Sequence, residues 1–296
     1  MIEVVLVEGV SDVRLISYYL QNIYGWKHEN SNALGITAND EYEHIESLSK
    51  QENQLVLCGV GGNGKFASFV EKHRVNMMLV EKEIASLMVV TDRDEDSDAK
   101  VGRKIGKSLE SISIRAGEWI SNDMVDSFGQ RKIINTYLLV IPPNENGALE
   151  RVIINALNNI PEEKELIQEV KKFIESLKNG LVKELEQTNK YDKAAVGTFF
   201  SVRNPQNALR SFGVFLHKVD WTKSEYLKDL FLPFMYLGTE KPIKEKSDLL
   251  QQHTHRYHEF LSDIDRDSSF FMEIDSPRCG MGIAAAMNAV FWMLEE

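Results

Sequence analysis

Four times along this chain an apolar run of strand length meets a turn and then a helical pattern. IEVVLV (residues 2 to 7) ends at Glu8 and is followed by Val13, Ile16, Leu20 and Ile23 at helical spacing. QLVLCGV (54 to 60) meets a glycine turn and a helix from about Lys65, and SLMVV (86 to 90) meets TDRDEDSD and a helix to about Ile112. TYLLVI (136 to 141) meets PPNENG and the helical ALERVIINAL. Continuous apolar runs are strands covered on both faces, and strands that alternate with helices build parallel sheets. The expectation is therefore an α/β fold over residues 1 to 160, a mostly parallel four-stranded sheet flanked by helices. In such a sheet functional groups collect beyond the carboxyl ends of the strands. The turns just quoted are where chemistry is to be sought.

The rest of the chain reads differently. Residues 25 to 53 form a polar excursion with helical patches. From Pro161 the sequence is charged and amphipathic (EEKELIQEVKKFIESLKNGLVKELEQ), and helix-like sequence continues to about Leu237. A polar linker from Gly238, the histidines His253, His255 and His258, and a last helical segment, GIAAAMNAVFWMLEE, follow. A mainly helical extension over 161 to 296, with a soft boundary near 160, is expected. With 43% hydrophobic and 27% charged residues the chain has the composition of a soluble globular protein. Glu3 and Glu8 interrupt the only early apolar run, and no uncharged stretch approaches the ~20 residues of a membrane span. A cytoplasmic protein with no membrane partner is expected. Cys58 and Cys279, far apart in unlike contexts, read as reduced thiols and not as a disulfide or thiolate metal site.

Acidic residues crowd the first and third strand ends. Glu8 is followed by Gly9 and Asp12, while Asp92, Asp94 and Asp96 follow the third strand. Neighbouring strands would bring at least three carboxylates into one pocket, where their repulsion calls for a cation. Hard oxygen donors without His or Cys favour Mg2+, or Mn2+ in its place, over Zn2+. Asp12 has the position to support the first helix instead, and Asp96 and Asp98 to face water. Other motifs fit less well. Gly59, Gly64 and Lys65 in CGVGGNGKF have the spacing of a phosphate-cradling P-loop, but Phe66 stands where that motif needs a hydroxyl. An EF-hand counted from Asp92 meets Ser97 and Arg103 where it needs Gly and Glu. The haloacid-dehalogenase pattern fits Asp92 and Asp94, fails at Asp96, and leaves Glu8 unexplained.

VVLVEGVSDVRLI, GVGGNGK and VVTDRDED resemble, in order and spacing, the topoisomerase-primase (TOPRIM) domain over about residues 2 to 141. The small stand-alone TOPRIM proteins and the nuclease half of the overcoming-lysogenization-defect (OLD) family look nearest. The resemblance implies a metal-dependent phosphoryl-transfer site at Glu8, Asp92 and Asp94. It further implies Asp12 and Glu150 as additional metal ligands, and Lys193 in KYDKAAV as a catalytic cation. Defence against phage is the implied setting. This chain lacks the adjoining ATPase domain of the OLD proteins, so an ATPase would act only in trans; a homo-oligomer is equally open.

A net charge of -11 argues against a general polyanion binder, yet basic patches occur. Lys100, Arg103, Lys104 and Lys107 share one helix face, opposite Val101, Ile105, Leu109 and Ile112. Residues 188 to 219 carry Lys190, Lys193, Arg203, Arg210 and Lys218 against the single acid Asp192. Their aromatics, Tyr191, Phe199, Phe200, Phe212 and Phe215, include candidates for base stacking, but paired phenylalanines in a helical region read first as core. Lys65, beside the glycine turn, is a candidate phosphate contact, and the three histidines read as surface residues. The leading expectation is a Mg2+-dependent nuclease acting on DNA or RNA. The rivals are a haloacid-dehalogenase-like small-molecule phosphatase and a non-catalytic, metal-stabilised regulatory or binding module.

Overall fold

In the computed structural model, which describes residues 1–38, 41–62, 64–110, 112–178, 182–208 and 212–239, the four apolar runs are neighbouring strands. The strands are β1 (Ile2–Val7), β2 (Lys27–Glu29), β3 (Glu43–Lys50), β4 (Asn53–Val60), β5 (Ile84–Asp92), β6 (Ile120–Val125) and β7 (Arg131–Ile141). They hydrogen-bond in the order β2-β3-β4-β1-β5-β7-β6. The central strands β4, β1, β5 and β7 are mutually parallel. β3 adds antiparallel to β4 and β2 to β3 at one edge, and β6 adds antiparallel to β7 at the other.

The sheet is thus seven-stranded where four strands were expected. The additions lie where the sequence reads as polar. β3 (EHIESLSK) falls in the stretch read as an excursion with helical patches, and it is only partly buried. In β6 (ISNDMV) the covered positions alternate with exposed ones, as in a strand with one wet face. One of its covered positions is Asn122, whose amide donates to the Ser113 carbonyl (3.0 Å) and to Thr136 Oγ1 (3.1 Å) and accepts from the Ser113 N–H (2.6 Å). A polar residue thereby takes an inward place without losing its hydrogen bonds.

The described residues form nine α-helices. α1 (Val10–Ile23), α2 (Phe66–Lys72), α3 (Val75–Glu81) and α4 (Asp98–Ser108) belong to the sheet region. The single helix expected from Lys65 is broken between α2 and α3, where Arg74 adopts a left-handed φ of 52°. Alternation along a strand sends Val4 and Leu6 to the face covered by α2, α3 and α4, with Phe69, Leu79, Val101 and Ile105 in the same core. Beyond β7 the described chain is helical: α5 (Leu149–Asn159), α6 (Pro161–Lys178), α7 (Thr188–Arg203), α8 (Phe212–Leu216) and α9 (Glu225–Phe231). Ile160, at the expected boundary, joins α5 and α6, which pack on each other and both on α7. Met1–Ser247 form one compact unit. Phe199, Phe200 and Phe215 are buried there, with the Phe200 and Phe215 rings stacked at 5.0 Å, so they are core and not stacking platforms.

No helix among the described residues is long and apolar enough to cross a membrane. Arg210, the histidines His253, His255 and His258, Cys279 and the last helical segment lie outside the described residues.

Leu138 of β7 is fully buried, so Leu138→Ala is expected to lower unfolding free energy by about 2–5 kcal/mol through lost burial and the cavity left behind. Phe128, 87% exposed on the β6–β7 turn, is expected to tolerate serine within about 0.5 kcal/mol. Urea denaturation of both variants checks the pair; a small loss for Leu138→Ala would contradict the assignment of β7 to the interior.

Candidate metal centre

Glu8 follows β1 directly, and three hydrogen bonds fix it. Its backbone carbonyl accepts from the Gly62 N–H at 2.7 Å. Its Oε1 accepts from Thr91 Oγ1 at 2.6 Å and from the Asp92 N–H at 3.0 Å. Because β1 and β5 run parallel with Val7 beside Val90, the next residue of each strand, Glu8 and Thr91, are adjacent. The glutamate therefore reaches across one strand end to the next. Helix α1 begins two residues later, and in its first turn Asp12 folds back to accept from the Gly9 N–H at 2.9 Å. That bond satisfies a helix-terminal donor and keeps the carboxylate beside Glu8.

Asp92 ends β5, and its Oδ1 accepts from the Leu149 N–H at 3.0 Å, where α5 begins. The first turn of α5 carries Glu150. Asp94 has a left-handed φ of 51°, which aspartate tolerates better than most residues, and its backbone exchanges two hydrogen bonds with Gly147 (2.8 and 2.9 Å). Gly147 has to be glycine: its φ is 143° and a Cβ there would stand 2.9 Å from the Cβ of Arg151. Arg93 faces the same loop, donating from Nε to the Pro142 carbonyl at 2.8 Å, bonding the Pro143 carbonyl, and pairing with Asp98 at 2.6 Å. Asp96 pairs with Lys100. Asp96 and Asp98 are thus engaged with cations of their own, while the charges of Glu8, Asp12, Asp94 and Glu150 bear on Asp92.

Burial is the largest cause of each shift, and neighbouring charges add to it. Burial, then the Glu8 charge and more weakly that of Glu150, raises the Asp12 carboxyl to about 7. Burial, then Asp12, Glu8, Glu150 and Asp94 in turn, raises Asp92 to about 9. Glu8 is raised by burial and Asp94, against the opposing pull of Thr91, the Asp92 N–H and Lys104. Among the described residues no salt bridge is made by Glu8, Asp12 or Asp92. Nor do three such donors close around a single point there. The donor set is carboxylate oxygen throughout, with Glu8 and Asp12 buried and Asp92, Asp94 and Glu150 partly so, and that chemistry suits a hard divalent cation.

Lys193 of α7 stands 3.5 Å from Glu150 Oε1, its side chain 62% exposed. Beside it, Arg151 holds Asp192 with Nε donating to Oδ2 at 3.0 Å and Nη2 3.0 Å from Oδ1. Two adjacent residues of α5 thus pair crosswise with two adjacent residues of α7. Lys65 borders a cavity beside the glycine turn. On α4, Lys100 is tied to Asp96, Lys104 acts on Glu8, and Arg103 and Lys107 are exposed. Sequence reasoning missed Thr91, Gly147, the Leu149 N–H, and the Arg151–Asp192 pair. Only the last had a legible signal, the acid-then-base order shared by Glu150-Arg151 and Asp192-Lys193.

Residues 2–232 match the family described as protein of unknown function (DUF3226). A solved structure, that of hypothetical protein PH0156 from Pyrococcus horikoshii OT3, is similar at 16% identity with a TM-score of 0.47, covering 79% of this chain and 97% of its own. No curated protein matches the chain.

Since Asp12 and Asp92 titrate above the ordinary carboxylate range when folded, folding favours their protonated forms. The stability they contribute is whole below that ordinary range and is lost as pH rises through about 7 for Asp12 and about 9 for Asp92. In chelator, Asp92→Asn is therefore expected to become steadily more stable relative to wild type as pH rises from about 5 to about 9, and added Mg2+ to narrow the gap. Thermal melts across that range check this; parallel curves would show that the carboxylates do not share one field.

Proposed function

The chain belongs to the DUF3226 family, and from its own residues we propose that it is a metal-dependent phosphodiesterase, a nuclease acting on DNA or RNA. One observation carries the reading: at the carboxyl ends of the parallel strands β1 and β5, Glu8 and Asp12 from the β1–α1 turn meet Asp92, all three are raised first by burial, and the Glu8 charge raises Asp12 while both raise Asp92 further. A solvated acidic surface would not produce these shifts. We read the four parallel strands as a TOPRIM-like sheet, the arrangement that the sequence resemblance implies.

Glu8, Asp92 and Asp94, with Asp12 and Glu150 around them, would hold Mg2+ or Mn2+, which supplies Lewis acidity toward a phosphate and lowers the pKa of a water. The remaining chemistry belongs to the chain. The Thr91 hydroxyl and the Asp92 N–H fix the orientation of Glu8 at 2.6 and 3.0 Å, so its free oxygen keeps one direction. With its pKa raised, Glu8 is also suited to carry a proton to or from the reacting phosphate. Lys193, exposed and held beside Glu150, provides positive charge for an oxygen that becomes negative as the ester bond breaks. Arg103 and Lys107, exposed on α4, provide phosphate contacts away from the reacting group.

Glu8→Ala and Asp92→Ala are each expected to lower Mg2+-dependent cleavage of plasmid, single-stranded DNA or tRNA by about 100-fold or more. Calorimetry should show Mg2+ binding lost in the double variant. Replacing Lys100, Arg103, Lys104 and Lys107 by alanine should preserve metal binding and reduce the slope of log affinity against log salt by about 0.9 for each phosphate contact removed. Trapping of phosphorylated Asp92 during turnover of a small phosphate ester would instead favour the haloacid-dehalogenase-like phosphatase. Absence of cleavage together with an unchanged salt slope would favour the binding module.

A further inference from the structure

A cavity of about 120 Å3 opens beside the glycine turn, lined among others by Tyr42, Glu43, Gly61, Lys65, Ser68 and Lys72. We propose that it holds one phosphodiester group of a bound nucleic acid, next to the group at the carboxylates; this deepens the nuclease reading and rests on it. The volume is large enough for a phosphate group. The charge of the lining is the selective feature. Lys72 Nζ lies 2.8 Å from Glu43 Oε1, and the other oxygen of Glu43 is 3.1 Å from His73 Nε2, with Glu43 and His73 both buried. The charge of Lys72 is therefore met by that of Glu43. The side chain of Lys65 is exposed, and no described residue pairs with its ammonium. One positive charge is left over, with the Ser68 and Tyr42 hydroxyls in the lining, and it matches the single charge of a phosphodiester better than the near-double charge of a terminal phosphate.

The location follows from backbone bonds. Gly61 forms part of the wall, and the next residue, Gly62, donates its N–H to the carbonyl of Glu8 at 2.7 Å. β4 and β1, which lead into the cavity and into Glu8, are adjacent parallel strands. A polynucleotide crossing the strand ends would meet the carboxylates at one phosphate and Lys65 at another. The cavity thus orients substrate and takes no part in bond breaking.

A small diester, bis(4-nitrophenyl) phosphate, has no second phosphate and reports on the carboxylates alone. Lys65→Ala is expected to leave its Mg2+-dependent hydrolysis unchanged while raising KM for an oligonucleotide by about tenfold and lowering the salt slope of binding by about one. Lys65→Arg should restore both. Wild-type-like oligonucleotide kinetics and affinity for Lys65→Ala, with small-diester hydrolysis intact, would overturn the subsite and leave the nuclease reading standing. If wild type cleaves neither substrate, the nuclease reading fails; the subsite is then judged by oligonucleotide binding in chelator, where equal affinity of wild type and Lys65→Ala rejects it and weaker binding by the variant supports it. Oligonucleotides ending in 5′-hydroxyl and 5′-phosphate should bind wild type equally. A Lys65-dependent preference for the 5′-phosphate would overturn the assignment to a phosphodiester.

Discussion

The reach of Glu8 from the end of β1 to Thr91 and Asp92 at the end of β5 is the contact around which the other features of the strand ends are arranged. The two strands are parallel and in register up to that point, so the pairing of the sheet, and not a loop, determines where the carboxylate lies. The carbonyl of the same residue receives the N–H of Gly62 from the end of β4. One residue therefore joins three adjacent strand ends. A buried carboxylate is costly to ionise, and the Glu8 charge adds to the burial that raises Asp12 and Asp92 beside it. Folding accommodates that cost because the hydrophobic sheet beneath it is covered on both faces.

The parts legible in the sequence and the parts that were not differ in the range of the interactions behind them. β1, β4, β5 and β7 were readable because a strand buried on both faces is apolar at every position, and such runs stand out even in short windows. Glu8, Asp92 and Asp94 were readable as acids directly after those runs. β3 and β6 were not, because each is only partly covered, and inward positions such as Glu43 and Asn122 are polar residues whose partners come from elsewhere: Lys72 and His73 for one, Ser113 and Thr136 for the other. The break at Arg74 carries neither Gly nor Pro, so nothing local announces it. Thr91 looks like any β-branched strand residue until Glu8 is placed beside it.

The loop after β5 shows why the site needs the next strand as well. Asp94 holds its left-handed conformation through two backbone bonds to Gly147, and Asp92 caps the N-terminal Leu149 of α5. Arg93, between them, bonds the carbonyls of Pro142 and Pro143. Three consecutive residues are thus fastened to the β7–α5 connection, which makes that connection a wall of the carboxylate cluster. Its requirement for glycine at 147 comes from the closeness of Arg151, so the packing of α5 and the backbone of the acidic loop constrain each other.

The helices after residue 160 enter the same network through α7. Arg151 grips the buried Asp192, and because Lys193 is the next residue, that grip delivers its ammonium to Glu150. Breaking a buried ion pair from one side costs about 3–5 kcal/mol, since the partner charge is left without compensation. An exposed pair such as Lys193–Glu150 is worth far less by itself. The buried pair therefore positions the weak exposed one. On this account the helical part of the chain is as much a component of the carboxylate site as the sheet, because the cation beside Glu150 is held there by contacts that only α7 supplies.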